Sequence, residues 1–247
     1  MLTKNQIKQI RSLQLKKNRI SESQFIVEGD KIVKELLSSK MSIKCIYATQ
    51  KWIDLNSSIL GSFVYKVLTI NELKIISNLK TPNHVLAIVN IIPSKFNYDD
   101  LTGVTLILDN INDPGNFGTI VRLCDWFNIS NIICSEDSVD RFNSKVVQSS
   151  MGSLFIVNIF YMDLMKFFRD MPYKRTVYGS FLKGENIKNL SIEEESFIIM
   201  GNESHGISSQ IESFVDKKIS IKKIGGRAES LNVATATSIL LYQFCNK

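Results

Sequence analysis

No stretch of this sequence approaches the ~18–20 consecutive apolar residues that a helix needs to cross a bilayer. The opening residues, Met-Leu-Thr-Lys-Asn-Gln-Ile-Lys, carry no hydrophobic signal core. Neither membrane insertion nor secretion has support, and the expected compartment is the cytoplasm. Cysteine is scarce. Cys45, Cys124, Cys134 and Cys245 are far apart and form no CxxC, so they read as reduced thiols of a cytosolic protein. Histidine is scarcer still. His84 and His205 are the only two, with no paired thiols beside them, so no metal site is expected. Fingerprints are missing too. There is no GxGxxG after the first strand of the second half, no GxxxxGK[ST] and no GxSxG, which removes the common dinucleotide, P-loop and serine-hydrolase readings.

What is present is a chain of 247 residues with 44% hydrophobic and 22% charged residues. This composition suits a folded protein of one large or two small domains. The net charge is +6, and it is unevenly placed. Residues 1–98 hold 15 Lys+Arg against 6 Asp+Glu, while residues 99–247 hold 15 against 18. A basic half joined to a slightly acidic one suggests a polyanion-binding module attached to something else, with RNA or DNA the common partner. A lysine-rich surface that serves only solubility is the plainer alternative.

The pattern in the first half alternates strand and helix. Ile7, Ile10, Leu13 and Gln14 at helical spacing predict one basic amphipathic helix over 4–18. Strands are predicted at 25–27, 43–48, 63–68 and 84–92, with a helix over 30–38. Thr69 and Glu72 form a capping-box pattern that opens another helix reaching about residue 79. Residues 1–95 therefore read as a small α/β domain, and polar residues 96–102 as a linker. From 103 to 247 the apolar runs lengthen. Strands are predicted at 104–108, 131–134, 156–160, 176–178, 197–200 and 219–221. Helices are predicted at 118–127, 144–151, 163–169, 208–215 and about 231–245. Continuous apolar strands between helices imply a parallel sheet covered on both faces, with ligands at the strands' carboxyl ends.

Three loops at those ends are unusually polar. The first, residues 109–118, holds three asparagines and two aspartates and precedes Arg122 on an otherwise apolar helix face. The second is Gly201-Asn202-Glu203-Ser204-His205-Gly206, where His205 is a general-base candidate by type and Glu203 a possible helix cap. The third runs from Lys222 to Asn232 and leads into a helix whose first half is small, with Ala234 and Ala236.

Together the loops resemble the three motifs of the SpoU (TrmH-type) RNA ribose 2′-O-methyltransferases of the SPOUT superfamily. The residues are Asn112-Asp113-Pro114-Gly115-Asn116-Phe117-Gly118 with Arg122, then Gly201 to Gly206, then Ser230-Leu231-Asn232-Val233-Ala234-Thr235-Ala236. Residues 103–247 are covered throughout. The first ninety-odd residues resemble, more loosely, the ribosomal-protein-like substrate-binding domain of many members. The resemblance implies an α/β domain whose C-terminal chain forms a deep trefoil knot, a topology that general expectation disfavours. It implies S-adenosylmethionine held by Met200, Gly201, Asn202, Gly206, Ile219, Ile221, Leu231 and Ala236, and a homodimer packed through the knot. The implied catalytic set is Asn116, Arg122, Glu203, Ser230 and Asn232. Lys222 departs from the proline usual after the strand, and the segment to Leu231 is about one residue longer than usual.

The implied reaction joins a ribose 2′-oxygen to a methyl group already activated by a sulfonium. A guanidinium has a pKa above ~12 and makes a poor base. Arg122 therefore reads as a cation that holds a phosphate and stabilises the developing alkoxide. In the basic domain Lys16, Lys17 and Arg19 are the expected phosphate contacts. A separate RNA-binding domain leans the expectation toward ribosomal rather than transfer RNA. The alternatives are an RNA-binding relative that has lost methyl transfer and a base methyltransferase of another SPOUT branch.

Overall fold

Thr3 and Gln6 bond each other's backbones in a capping box and open α1 (Lys4–Ser12). The single helix expected over 4–18 is broken at 13–15, and α2 (Lys16–Glu22) follows. Arg19 explains the break. It is 4% exposed, and its guanidinium donates to the carbonyls of Leu13 (2.9 Å) and Gln14 (2.7 Å), groups that the end of α1 leaves without helical partners. The expectation of a phosphate contact at Arg19 is corrected here, since its charge faces the chain rather than solvent. Lys16 and Lys17 are exposed.

These observations come from a computed structural model that describes residues 2–79 and 81–246. By contact the chain divides into Met1–Ser94 with Phe142–Phe155, and Lys95–Arg141 with Ile156–Lys247. The first unit continues with β1 (Gln24–Glu28), α3 (Asp30–Leu37), β2 (Ser42–Ala48), α4 (Gln50–Leu55), α5 (Ser57–Leu60), β3 (Tyr65–Val67), α6 (Ile70–Ile76) and β4 (Val85–Asn90). Its sheet has the order β1-β4-β2-β3. The β1/β4 and β4/β2 pairs are antiparallel and β2/β3 is parallel. Ile10, Leu13, Ile26, Leu73, Ile76, Leu86 and Ile88 form a buried cluster. The Thr69–Glu72 capping box is present as read. The helices α4 and α5 were not foreseen. Thr49 caps α4 through the Trp52 amide.

The second unit contains β5 (Val104–Asp109), α7 (Pro114–Trp126), β6 (Asn131–Cys134), β7 (Asn158–Tyr161), α9 (Leu164–Arg169), β8 (Thr176–Asn186), β9 (Ser196–Gly201), α10 (Ser209–Glu212), β10 (Lys217–Ser220) and α11 (Val233–Cys245). Between β6 and β7 in sequence lies α8 (Ser144–Ser150). All strands of the second sheet run parallel, in the order β10-β8-β9-β5-β6-β7. Leu106, Ile107 and Leu108 are 0% exposed, each such side chain contributing about 1.5–3 kcal/mol of burial. From β5 the chain goes to β6 on one side and returns much later to β9 on the other. The carboxyl ends of β5 and β9 thus form the switch point where open α/β sheets take ligands.

Two local differences matter. The strand predicted at 176–178 extends to Asn186, because its register with β10 shifts between Lys218 and Ile219. Gly184 permits this: a Cβ there would lie 2.6 Å from the Lys218 carbonyl oxygen. The segment Phe142–Phe155, placed by sequence with residues 103–247, packs instead with the first unit. The Phe142 ring lies 4.3 Å from that of Phe25. The Gln148 amide donates to the Glu28 carbonyl at 2.8 Å.

Candidate active site

The first polar loop is shorter than its sequence suggests. Asp113 accepts from the Asn116 amide at 2.8 Å and Pro114 occupies the first helical turn. Asp-Pro is therefore an N-cap followed by a residue with fixed φ and no orphan N–H. The helix begins at Pro114, not at 118, so Asn116 stands on its rigid first turn. Arg122 lies further along α7, exposed, and its guanidinium has no hydrogen bond or ion pair among the described residues.

Asn202 shapes the second loop. Its Oδ1 accepts from the Ser204 and His205 amides, its Nδ2 donates to the Asn110 carbonyl at 2.8 Å, and its backbone pairs with Gly206. Gly201 just before it has no room for a side chain, since a Cβ would run into the backbone of Gly206 and Ile207. Two residues counted in the first polar loop but given no role there support the second. Buried Asp109 accepts from the Ser208 amide at 2.7 Å. Asn110 adopts a left-handed φ of 60° and donates its amide to the Ser135 hydroxyl. The available signal was asparagine directly after a buried strand, since asparagine tolerates that backbone region.

Three of the five expected catalytic residues meet. Asn232 Oδ1 caps α11 by accepting from the Ala234 and Thr235 amides. Its Nδ2 must therefore be the end that donates to Asn116 Oδ1, at 2.9 Å. That in turn directs Asn116 Nδ2 to Glu203 Oε1, also at 2.9 Å. A helix cap thus sets the orientation of two amides and leads to a carboxylate that accepts. Ser230 is exposed and does not join this chain. His205 contributes its backbone to the Asn202 turn, and its ring has no partner among the described residues.

The residues expected at the cofactor lie along the same strand ends. Met200 and Ile219 are buried within β9 and β10, Gly201 ends β9, Ile221 follows β10, and Ala236 lies in the first turns of α11. Leu231 is 49% exposed and Ile224 91%. Among the described residues, no hydrogen bond engages the backbone of residues 221–231. Free amides and carbonyls beside exposed apolar side chains suit a ligand with a heterocycle and an amino-acid moiety. Among the described residues, no group of three His, Cys, Asp or Glu is placed to hold a metal ion.

Comparison with known proteins identifies the family. The model of the SpoU rRNA Methylase family matches residues 103–242, and that of the MRM3-like substrate binding domain matches residues 4–87. The 23S rRNA (guanosine(2553)-2′-O)-methyltransferase RlmP of Bacillus subtilis is 27% identical over 242 residues, covering 97% of this chain and 96% of that one. A solved structure from the TrmH family of RNA methyltransferases of Porphyromonas gingivalis superposes with a TM-score of 0.88. It is 33% identical and covers 100% of this chain and 99% of that one. The AdoMet-bound rRNA methyltransferase of Sinorhizobium meliloti superposes with a TM-score of 0.85 at 28% identity, covering 98% of this chain and 95% of that one.

Proposed function

Because this chain belongs to the SpoU rRNA methylase family, we propose that it methylates a ribose 2′-hydroxyl of RNA, with S-adenosylmethionine as donor and ribosomal RNA as the substrate ahead of transfer RNA. The observation that carries this reading is the chain of hydrogen bonds Asn232–Asn116–Glu203 at the β5/β9 switch point, with the exposed cation Arg122 further along the same helix as Asn116. The non-catalytic alternative is disfavoured because these polar groups are arranged as a unit.

S-Adenosylmethionine supplies a methyl group activated by positive charge. What remains for the protein is to align an oxygen with it and manage one proton. Asn116, held at both ends of its amide, orients the ribose. Glu203 holds the second loop against α7. Arg122 pairs with the adjoining phosphate and stabilises negative charge growing on the 2′-oxygen, and the proton passes to that phosphate or to water. Residues 201–206 and 219–236 hold the cofactor, largely through backbone groups, and Ser230 supports that loop.

The same reading takes the C-terminal segment to be knotted. In its support, α11 follows edge strand β10 yet packs on α7, which follows the interior strand β5. It takes the assembly to be a homodimer formed through this region, supported by the exposure of Trp126 on α7 and Tyr242 on α11. It places the protein in the cytoplasm, where ribosomal RNA would be its substrate. Among the described residues no helix is long and apolar enough to cross a membrane.

Calorimetry with S-adenosylmethionine, followed by nucleoside digestion of RNA treated with the protein, tests the reading. One cofactor per chain and a 2′-O-methylnucleoside are expected. A base-methylated product, or no cofactor binding by folded protein, overturns it.

A further inference from the structure

We infer that the first unit carries a binding cleft for an unpaired RNA nucleotide at the carboxyl ends of the parallel strands β2 and β3; the inference rests on the proposed RNA substrate. The cleft has a volume of about 430 Å³ and is walled by Val67, Leu68 and Ile70, with Lys51 and His84 at its edge. Val67 is 46% and Ile70 41% exposed, so the apolar wall is open to solvent.

The other polar groups of the cleft are already engaged. The Thr49 hydroxyl accepts from the Trp52 amide, and the Thr69 hydroxyl accepts from the Glu72 amide while donating to the Glu72 carboxylate. Gln50 donates to Asp54 at 2.7 Å. What remains for a ligand is an apolar wall, an ammonium and an exposed imidazole whose Nδ1 lies 3.5 Å from the Thr49 hydroxyl. That combination suits the face of a nucleobase with a phosphate alongside, which is how proteins read unpaired RNA.

Charge complementarity points to the same occupant. The wall residue Ile70 begins α6, α6 packs on α1, and the Leu2 backbone bonds the Glu72 carboxylate. The basic helix α1, with exposed Lys4, Lys8 and Arg11, therefore starts at the cleft. The excess of 15 cations over 6 anions in residues 1–98 lies on the unit that holds it. A paired stem cannot present a base face to such a wall, whereas an unpaired loop or bulge can.

The test compares fluorescein-labelled decauridylate with a ten-base-pair RNA duplex by anisotropy on the full chain, at several salt concentrations. The single strand is expected to bind more tightly than the duplex. The double substitution Val67→Ala, Ile70→Ala and the single substitution His84→Ala should each weaken single-strand binding about 5–10-fold while leaving the salt slope unchanged. Lys51→Ala should lower that slope by about one. Equal binding of strand and duplex, or wall variants that bind like the wild type with unchanged thermal unfolding, overturns the cleft. Calorimetry with S-adenosylmethionine on the same preparations separates the two readings. Normal cofactor binding with unaffected RNA binding sinks the cleft alone, and absent cofactor binding with weakened RNA binding sinks methyl transfer alone.

Discussion

In the first unit the buried ionic groups close the chain on itself. Arg19 ties off α1, and Glu28 accepts from the Ser77 hydroxyl and the Asn78 amide where α6 ends. Lys16 and Lys17, by contrast, remain exposed. In the second unit polar side chains bond one another across great sequence distance: Asn116 to Glu203 over 87 positions, and Asn232 to Asn116 over 116. The contrast separates polar groups that serve only helix ends from polar groups that link distant loops, to which the proposed function gives the chemistry. The first kind should register in stability and the second in rate.

The sharpest probe of the second unit is Gly201→Ala. A Cβ there meets backbone, which cannot rotate away, so the expected cost is about 3 kcal/mol or more in urea unfolding, with loss of methyl transfer. Survival of the second loop intact would break the argument for close approach. Arg122→Ala should lower kcat about 10²–10³-fold with unfolding unchanged, as for loss of one charge-stabilising donor. Arg122→Lys should keep part of the activity because charge remains without the planar fork. A lysine variant as inactive as the alanine variant would point to a different role. Asn232→Asp can still cap α11 but can no longer donate to Asn116. Asn116 should then turn its amide, present an oxygen to Glu203 and lose its orientation, lowering kcat about 10²-fold at near-wild-type stability.

The first unit should answer in the opposite currency. Arg19→Ala should cost about 1.5–3 kcal/mol, the range for hydrogen bonds to a charged group. Lys16→Ala and Lys17→Ala should leave unfolding unchanged and each reduce the salt slope of RNA binding by about one. The smallest effect is expected at Glu28, whose carboxyl is pushed above its ordinary value of 4.5, chiefly by burial. The folded state therefore holds this proton more tightly than the unfolded one, a stabilisation present at acid pH and lost as pH rises from about 4.5 through the folded value. Glu28→Gln removes that loss. Relative to wild type, the variant's urea midpoint should improve from pH 4 to pH 7, and a flat difference would show that Glu28 titrates normally.

Much of this was legible in residue order. The strand at 131–134, the Thr69–Glu72 capping box and the three polar loops depend on neighbours a few positions apart, so spacing reveals them. The start of α7 was legible but misread, because Asp113-Pro114 also resembles a turn. The break at 13–15 was hidden, because the hydrophobic period continues across it and only the inward turn of Arg19 interrupts it. The long β8 was hidden because its extension depends on a register shift against a strand some forty residues later.

The sequence alone determined which chemistry was available: a parallel sheet with asparagine, glutamate and arginine at its strand ends, and an excess of cations in the first ninety-odd residues. Those are properties of composition and period. The tertiary structure decided which of those groups act together. It buried Arg19 and left Lys16 exposed, assigned residues 142–155 to the first unit, and used the cap of α11 to orient Asn116 toward Glu203. Each outcome depends on contacts between distant positions, where local preference is silent and the packing of the whole chain selects the partner.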